Sequence, residues 1–128
     1  MRELKIEKTF NSPMVNFKGT GQLIIQGKSI PEISSEFYQP LVAWIDGYGQ
    51  YPAMTTTFDV KLEFFNTSSS KWILTVLKGL EKIKKQGFDV AVNWHYSEDD
   101  DEMLEAGKDF SEILNLGFSF INEGEGSF

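Results

Sequence analysis

The stretch that decides the fold is Phe58-Asp59-Val60-Lys61-Leu62-Glu63-Phe64-Phe65-Asn66-Thr67-Ser68-Ser69-Ser70-Lys71. Apolar and charged residues alternate over Phe58–Phe64, which predicts a strand with one buried face and one partly wet face. Hydroxyl residues follow directly over Thr67–Ser70, and Ser, Thr and Asn are the residues that helix N-termini prefer. The stretch therefore predicts a strand that turns straight into a helix.

The residues that follow support a β-α-β unit. An apolar stripe at helical spacing is formed by Trp72, Ile73, Val76, Leu77, Leu80 and Ile83. The helix should stop at Gly87, which can adopt the left-handed C-cap conformation. Alternation returns over Phe88–Trp94 and predicts a second strand. We therefore expect residues 57–94 to form two parallel strands joined by a right-handed helical crossover.

On the N-terminal side the sequence predicts an antiparallel meander and a helix. Short β-prone runs at Leu4–Phe10, Met14–Phe17 and Gln22–Gln26 are separated by Asn, Ser, Pro and Gly. A helix is announced by Ser34-Ser35 and carries Phe37, Leu41, Trp44, Ile45 and Tyr48 at helical spacing. Because Pro40 lacks an amide hydrogen, this helix should either restart or bend there.

The C-terminal part predicts one more helix and one more strand. The acidic run Glu98–Glu102 leads into an amphipathic helix, a strand follows over Leu116–Ile121, and residues 122–128 are expected to fray. The prediction is an α/β (α+β) fold, with a mixed sheet of about five to six strands and helices packed on it. All 128 residues should form a single domain.

Composition excludes several classes of function. The formal net charge is −7, whereas a nucleic-acid binder needs clustered Lys and Arg. There is no cysteine, which removes disulfides and thiolate chemistry and suits a reducing compartment. The N-terminus has no apolar signal region and no run is long enough to span a membrane, so we expect a cytoplasmic protein without a membrane partner.

The hydroxyl segment is the first candidate functional site, and two interpretations of it stay open. The simpler is a helix cap, which a strand-to-helix corner needs in any protein. The alternative is a phosphate on Thr67, held by helix amides, the helix dipole and the Lys71 ammonium. In that hypothesis a partner protein would contact the surroundings of the phosphosite, namely Asn66, Ser68, Ser69, Ser70, Lys71, Tyr96 and Asp99.

The acidic run is the second candidate. The acidic run follows the predicted strand Phe88–Trp94, and the hydroxyl segment follows the predicted strand Phe58–Phe64. Because these two strands should be neighbours, both segments should lie at the same edge of the sheet. The carboxylates of the acidic run could hold Mg²⁺ or Ca²⁺, but consecutive acids point around a helix start instead of converging. A small metal-dependent or acid–base enzyme using Asp99–Glu105 with His95 is the alternative function, and an unregulated scaffold is another. A single histidine after a strand is more often a surface residue, and no catalytic motif is present.

Six segments together resemble the SiaC family of bacterial regulatory phosphoproteins over nearly the whole chain. They are Thr9 with Ser12-Pro13, Gly27–Glu32, Phe37–Pro40 with Trp44, Phe65–Lys71, Trp94–Tyr96 and Asp101–Gly107. The Asn-Thr-Ser-Ser-x-Lys segment is the most specific of them.

The resemblance implies a fold similar to the anti-sigma-factor-antagonist (STAS) domains and a non-enzymatic role without cofactor or metal. Thr67 matches the phosphoacceptor of the family, which a partner kinase phosphorylates and a PP2C-like phosphatase dephosphorylates. The unphosphorylated form in characterised relatives binds and activates a diguanylate cyclase, which raises cyclic di-GMP and favours biofilm formation. The resemblance thus implies a partner-switching protein.

Overall fold

The computed structural model describes residues 1–125 and contains one six-stranded sheet with three helices. The elements are β1 (Leu4–Ile6), β2 (Met14–Phe17), β3 (Gln22–Ser29), α1 (Ser34–Tyr48), β4 (Thr55–Phe65), α2 (Thr67–Lys85), β5 (Asp89–Tyr96), α3 (Asp101–Ile113) and β6 (Gly117–Asn122). The strands lie side by side in chain order. Pairing is antiparallel from β1 to β3 and parallel from β3 to β6. The mixed α/β sheet, the meander and the β-α-β unit are confirmed.

The two faces of the sheet differ in polarity because side chains alternate along each strand. One face is apolar and packs against all three helices. Phe17 contacts Trp44 in α1, Trp94 contacts Phe110 in α3, and Phe58 of β4 lies with Ile73 of α2 around one small apolar cavity. The opposite face, which we call the open face, has a row of paired residues across five strands, of which all but the β3 residue are polar. That row consists of Asn16, Ile24, Asp59, Asn93 and Ser119.

A β-bulge in β4 changes which side chains face the helices. Gly27 pairs with Leu62 but Lys28 pairs with Phe64, so the register passes over Glu63. The alternation shifts by one residue, and Phe65 rather than Phe64 packs on Trp94 and Phe110. Phe64 is 53% exposed, so its predicted place on the buried face was wrong. Bulges commonly re-aim side chains in this way.

The ends of β1 and β3 differ from the sequence prediction because of local structure. β1 ends at Ile6 because residues 9–12 form a turn, in which the Thr9 hydroxyl accepts the Ser12 amide at 2.9 Å. β3 extends to Ser29 because Gly27, with φ of 128°, accommodates the bulge. α1 runs through Pro40 without a restart.

The ends of the predicted elements also differ from expectation. The helix stop at Gly87 is confirmed by its φ of 103°. Residues 122–124, which were expected to fray, are held in place by β6 and by the bond from the Glu98 amide to the Gly124 carbonyl. Residues 126–128 of the predicted tail lie outside the described residues. None of the helices in residues 1–125 is both long and apolar enough to cross a membrane.

Candidate functional site

The corner between β4 and α2 is fixed by Asn66. Its side-chain oxygen accepts the Ser69 amide at 2.9 Å and the Ser68 hydroxyl at 3.1 Å, so it is the N-cap of α2. Its own amide donates to the carbonyl of Ser29, the last residue of β3, at 3.1 Å. The cap interpretation is thus confirmed for Asn66, and the first turn of α2 has a defined position at the end of the sheet.

Thr67 is the first residue of α2 and is exposed. Its hydroxyl has no hydrogen-bond partner within residues 1–125, because Asn66 supplies the cap in its place. An exposed threonine hydroxyl at the start of a capped helix is accessible to a modifying enzyme. The structure therefore leaves Thr67 available for the role that the sequence suggests.

The hydroxyls of Ser68 and Ser69 have structural partners. Ser69 is fully buried, and its hydroxyl donates to the Ser29 carbonyl and accepts from the Ser29 hydroxyl, both at 2.9 Å. The Ser68 hydroxyl pairs with that of Ser34, at the start of α1, at 2.6 Å. Ser70 is half-buried and donates its amide to the Asn66 carbonyl at 3.0 Å. The hydroxyl run thus joins α2 to β3 and α1 while leaving Thr67 exposed.

Tyr38 extends this network into the core. It is fully buried, and its hydroxyl lies 2.5 Å from that of Ser29. Burial raises the pKa of Tyr38 to about 12, although the hydrogen bonds from Ser29 and Ser69 act in the opposite direction. The phenol is thus held neutral in the folded protein.

The raised pKa of Tyr38 predicts a loss of stability at high pH. The folded pKa lies above the unfolded value of 10.0, so the stabilisation is complete below pH 10 and is lost as the pH rises through the folded pKa. We expect the free energy of unfolding to fall by about 2 kcal/mol from this group between pH 10 and pH 12. Urea unfolding of the wild type and of Tyr38→Phe across this range measures it. Identical pH dependence of the two proteins would contradict the assignment.

The remaining predicted site residues are Lys71, about one turn along α2 from Thr67, and Tyr96 and Asp99, at the end of β5 and in the loop after it. Lys71 is exposed and has no ion pair within residues 1–125. Tyr96 ends β5, is half-buried, and accepts the Glu123 amide through its carbonyl at 2.9 Å. Asp99 is exposed in the loop before α3. No hydrogen bond or ion pair in the described chain joins Tyr96 or Asp99 to the Thr67 segment.

The end of β4 and the acidic run nevertheless share one edge of the sheet. A groove of about 220 Å³ between β4 and the start of α3 is lined by Phe64, Phe65, Asp100 and Glu102, among others. Asp100 is also the N-cap of α3, since its carboxylate accepts the Met103 amide at 3.0 Å. The shared edge that the strand order predicts is confirmed.

The burial of His95 differs from the sequence prediction, which placed it on the surface. His95 is 7% exposed and points to the open face, where Nε2 contacts the Asp59 carboxylate at 2.9 Å and Nδ1 contacts Glu123. Asn93 also donates to Asp59, at 3.2 Å. The expectation of a surface histidine was wrong because two carboxylates, distant in sequence, compensate its burial.

This arrangement bears on the alternative of an enzyme. Both ring nitrogens of His95 are bound, and neither is bound by a residue of Asp99–Glu105. In residues 1–125 no group of three or more His, Asp and Glu side chains is arranged to hold a metal ion. The structure does not assemble the constellation that this alternative requires.

Comparison with known proteins assigns the chain to a family. The model for the SiaC family regulatory phosphoproteins matches residues 6–123. The chain belongs to the SiaC family. An uncharacterised protein of Pseudomonas aeruginosa (strain UCBPP-PA14) is 30% identical over an alignment of 123 residues that covers 93% of this chain and 95% of the relative.

Solved structures of SiaC from Pseudomonas aeruginosa have the same fold. Apo-SiaC is 29% identical with a TM-score of 0.86, over 94% of this chain and 99% of that one. SiaC in complex with the diguanylate cyclase SiaD, of which it is the activator, is 28% identical with the same TM-score of 0.86 and the same coverage. The chain is thus a SiaC-family regulatory protein, and its relative acts on a cyclase.

Sequence reasoning missed the anchoring role of Ser29 and Ser34 and the network of His95 in this SiaC-family protein. Ser29 ends a predicted strand and Ser34 begins a predicted helix, so each had an ordinary local explanation. Their partners Ser69 and Ser68 are 40 and 34 residues away in the chain. Only the hydroxyl run itself signalled that this corner needed additional hydrogen-bonding groups.

Proposed function

We propose that the protein is a non-enzymatic partner switch controlled by reversible phosphorylation of Thr67. The observation that carries the proposal is the exposure of Thr67 on a corner that hydrogen bonds of Asn66 and Ser69 hold in place. The complex of its relative with a diguanylate cyclase indicates the class of partner. In this proposal the unmodified protein binds and activates a diguanylate cyclase and thereby raises cyclic di-GMP.

Phosphorylation would release the partner through the cost of burying charge. A phosphothreonine carries about −1.5 to −2 charges at neutral pH. Exposed apolar side chains flank Thr67. Phe64, three residues before it, is 53% exposed, and Ile33, next to the Ser34 that pairs with Ser68, is 54% exposed. A partner that covers these side chains would have to desolvate the phosphate as well. Burying a charge without compensation costs several kcal/mol, which is enough to reverse moderate binding.

The surroundings of Thr67 have separate roles in this proposal. Asn66 and Ser69 hold the corner in place, and Lys71 provides a cation near the phosphate. Ser68 and Ser70 present the partner with a small polar surface, which Tyr96 and Asp99 extend along the sheet edge. A kinase and a PP2C-like phosphatase would act on Thr67 in the cytoplasm.

The direct test is phosphosite mass spectrometry of the protein isolated from its native cells. We expect phosphate on Thr67, and we expect it to disappear after treatment with a PP2C-like phosphatase. Ser70, in the same turn but half-buried, is the internal comparison and should stay unmodified. If phosphate never appears on Thr67 under any growth condition, the segment is a helix cap only and the switch is wrong.

A further inference from the structure

The groove between β4 and α3 shares Phe64 with the surface invoked for the phosphorylation switch, but its carboxylates and its other apolar residues are not used there. Its lining combines four apolar residues with three carboxylates, namely Glu63, Phe64, Phe65, Asp100, Glu102, Met103 and Ala106. Its volume is about 220 Å³, which accommodates one or two aliphatic side chains.

The apolar part of the groove is held rigidly. Phe65 packs edge-on against Trp94, with ring centroids 6.3 Å apart, and also contacts Phe110. Met103 is buried and its amide is bound by Asp100. Phe64 is turned outward by the bulge at Glu63 and remains 53% exposed. An apolar surface is therefore already formed and open to a partner, without any rearrangement.

The charged part of the groove is not neutralised. No Lys, Arg or His lines it, and the ion pairs found in residues 1–125 involve none of its three carboxylates. The remaining acids of the run Glu98–Glu102 lie beside it along the chain. An acidic partner would be repelled here, whereas a cation beside an apolar side chain would gain both a charge pair and apolar burial.

We infer that this groove docks a segment of a partner protein in which an aliphatic side chain stands next to Arg or Lys. The inference explains why five consecutive acids stand beside an exposed phenylalanine. It goes beyond the Thr67 switch, because it needs no phosphate and uses none of the hydroxyl residues.

The test uses short peptides as probes and the full-length, uniformly ¹⁵N-labelled protein. Acetyl-Arg-Leu-Leu-Arg-amide is titrated alongside acetyl-Glu-Leu-Leu-Glu-amide and acetyl-Arg-Gly-Gly-Arg-amide, with amide chemical shifts as the readout. We expect the first peptide to shift the amides of residues 63–65 and 100–106. The other two should bind at least tenfold more weakly, because each lacks one of the two features that the groove recognises.

Variants make the test specific. Phe64→Ser and the double variant Glu63→Gln/Glu102→Gln should each weaken the first peptide by about fivefold to tenfold, equivalent to about 1 kcal/mol. Glu112→Gln, an exposed acid at the far end of α3, is the matched control and should change nothing.

Two results would overturn the inference. One is that the Arg and Glu peptides bind with equal affinity; the other is that binding survives unchanged in both groove variants. Thr67→Glu should retain the peptide, so failure of the groove and failure of the phosphorylation switch are distinguishable.

Discussion

Thr67→Glu is expected to bind the diguanylate cyclase of the proposed switch about 100-fold more weakly than the wild type, a loss of about 3 kcal/mol. The glutamate places a permanent negative charge at an exposed position beside apolar surface, and binding would have to desolvate it. The fold should be unaffected, because a carboxylate in the first turn of a helix interacts favourably with the helix dipole. Isothermal titration calorimetry with the purified cyclase measures the change.

Two variants control this experiment. Thr75→Glu adds the same charge at an exposed hydroxyl two turns along α2 and should bind like the wild type. Thr67→Ala removes the acceptor hydroxyl without adding charge and should bind the cyclase whether or not the kinase is present. Equal affinities for Thr67→Glu and Thr75→Glu would show that the position of the charge is irrelevant, and the switch would have to be abandoned.

Much of the fold follows from local pattern. Each of β4, β5 and α2 buries one side against the rest of the protein. The strands β4 and β5 are therefore identified by apolar residues at every second position, and α2 by apolar residues with a period of 3.6. Gly87 likewise ends α2 with positive φ, a property of the residue itself. The β-α-β unit could therefore be predicted from about 40 residues without knowledge of the rest.

The differences come from contacts between distant segments. The bulge at Glu63 depends on the pairing of β4 with Gly27 and Lys28 of β3, so the alternation of β4 alone wrongly buries Phe64. His95 depends on Asp59 and Glu123, which are 36 and 28 residues away. The periodicity of one segment does not reveal which distant residues will contact it.

The candidate site also has a part that the sequence predicts and a part that depends on contacts between distant segments. Asn66 as a cap and Thr67 as a candidate acceptor follow from residue type and position at a helix start. The distinction among the hydroxyls does not, because Ser69 is buried by β3 and Ser68 is paired by α1, whereas Thr67 faces solvent. Sequence therefore located the corner, and the tertiary structure separates the hydroxyl available for modification from those that hold the corner together.

The packing of α3 on β5 predicts that Gly107→Ala strongly destabilises the protein. A Cβ at Gly107 would lie 2.5 Å from Cδ1 and 2.6 Å from Nε1 of Trp94. The indole cannot retreat, because it is fully buried, donates from Nε1 to the Met103 carbonyl at 2.9 Å, and packs against Phe110. Alanine favours a helix over glycine by about 1 kcal/mol, and overpacking costs about 1–3 kcal/mol or more.

We therefore expect Gly107→Ala to lower the free energy of unfolding by about 2 kcal/mol. Urea unfolding followed by tryptophan fluorescence measures it, and Gly117→Ala is the control because a Cβ there has no neighbour within 4 Å. The same clash displaces α3, which carries Met103 and Ala106 of the groove, so the variant should also weaken the Arg-Leu-Leu-Arg peptide. An unchanged or raised unfolding midpoint for Gly107→Ala would mean that α3 lies farther from β5 than this packing requires, and the groove that depends on it would lose its support.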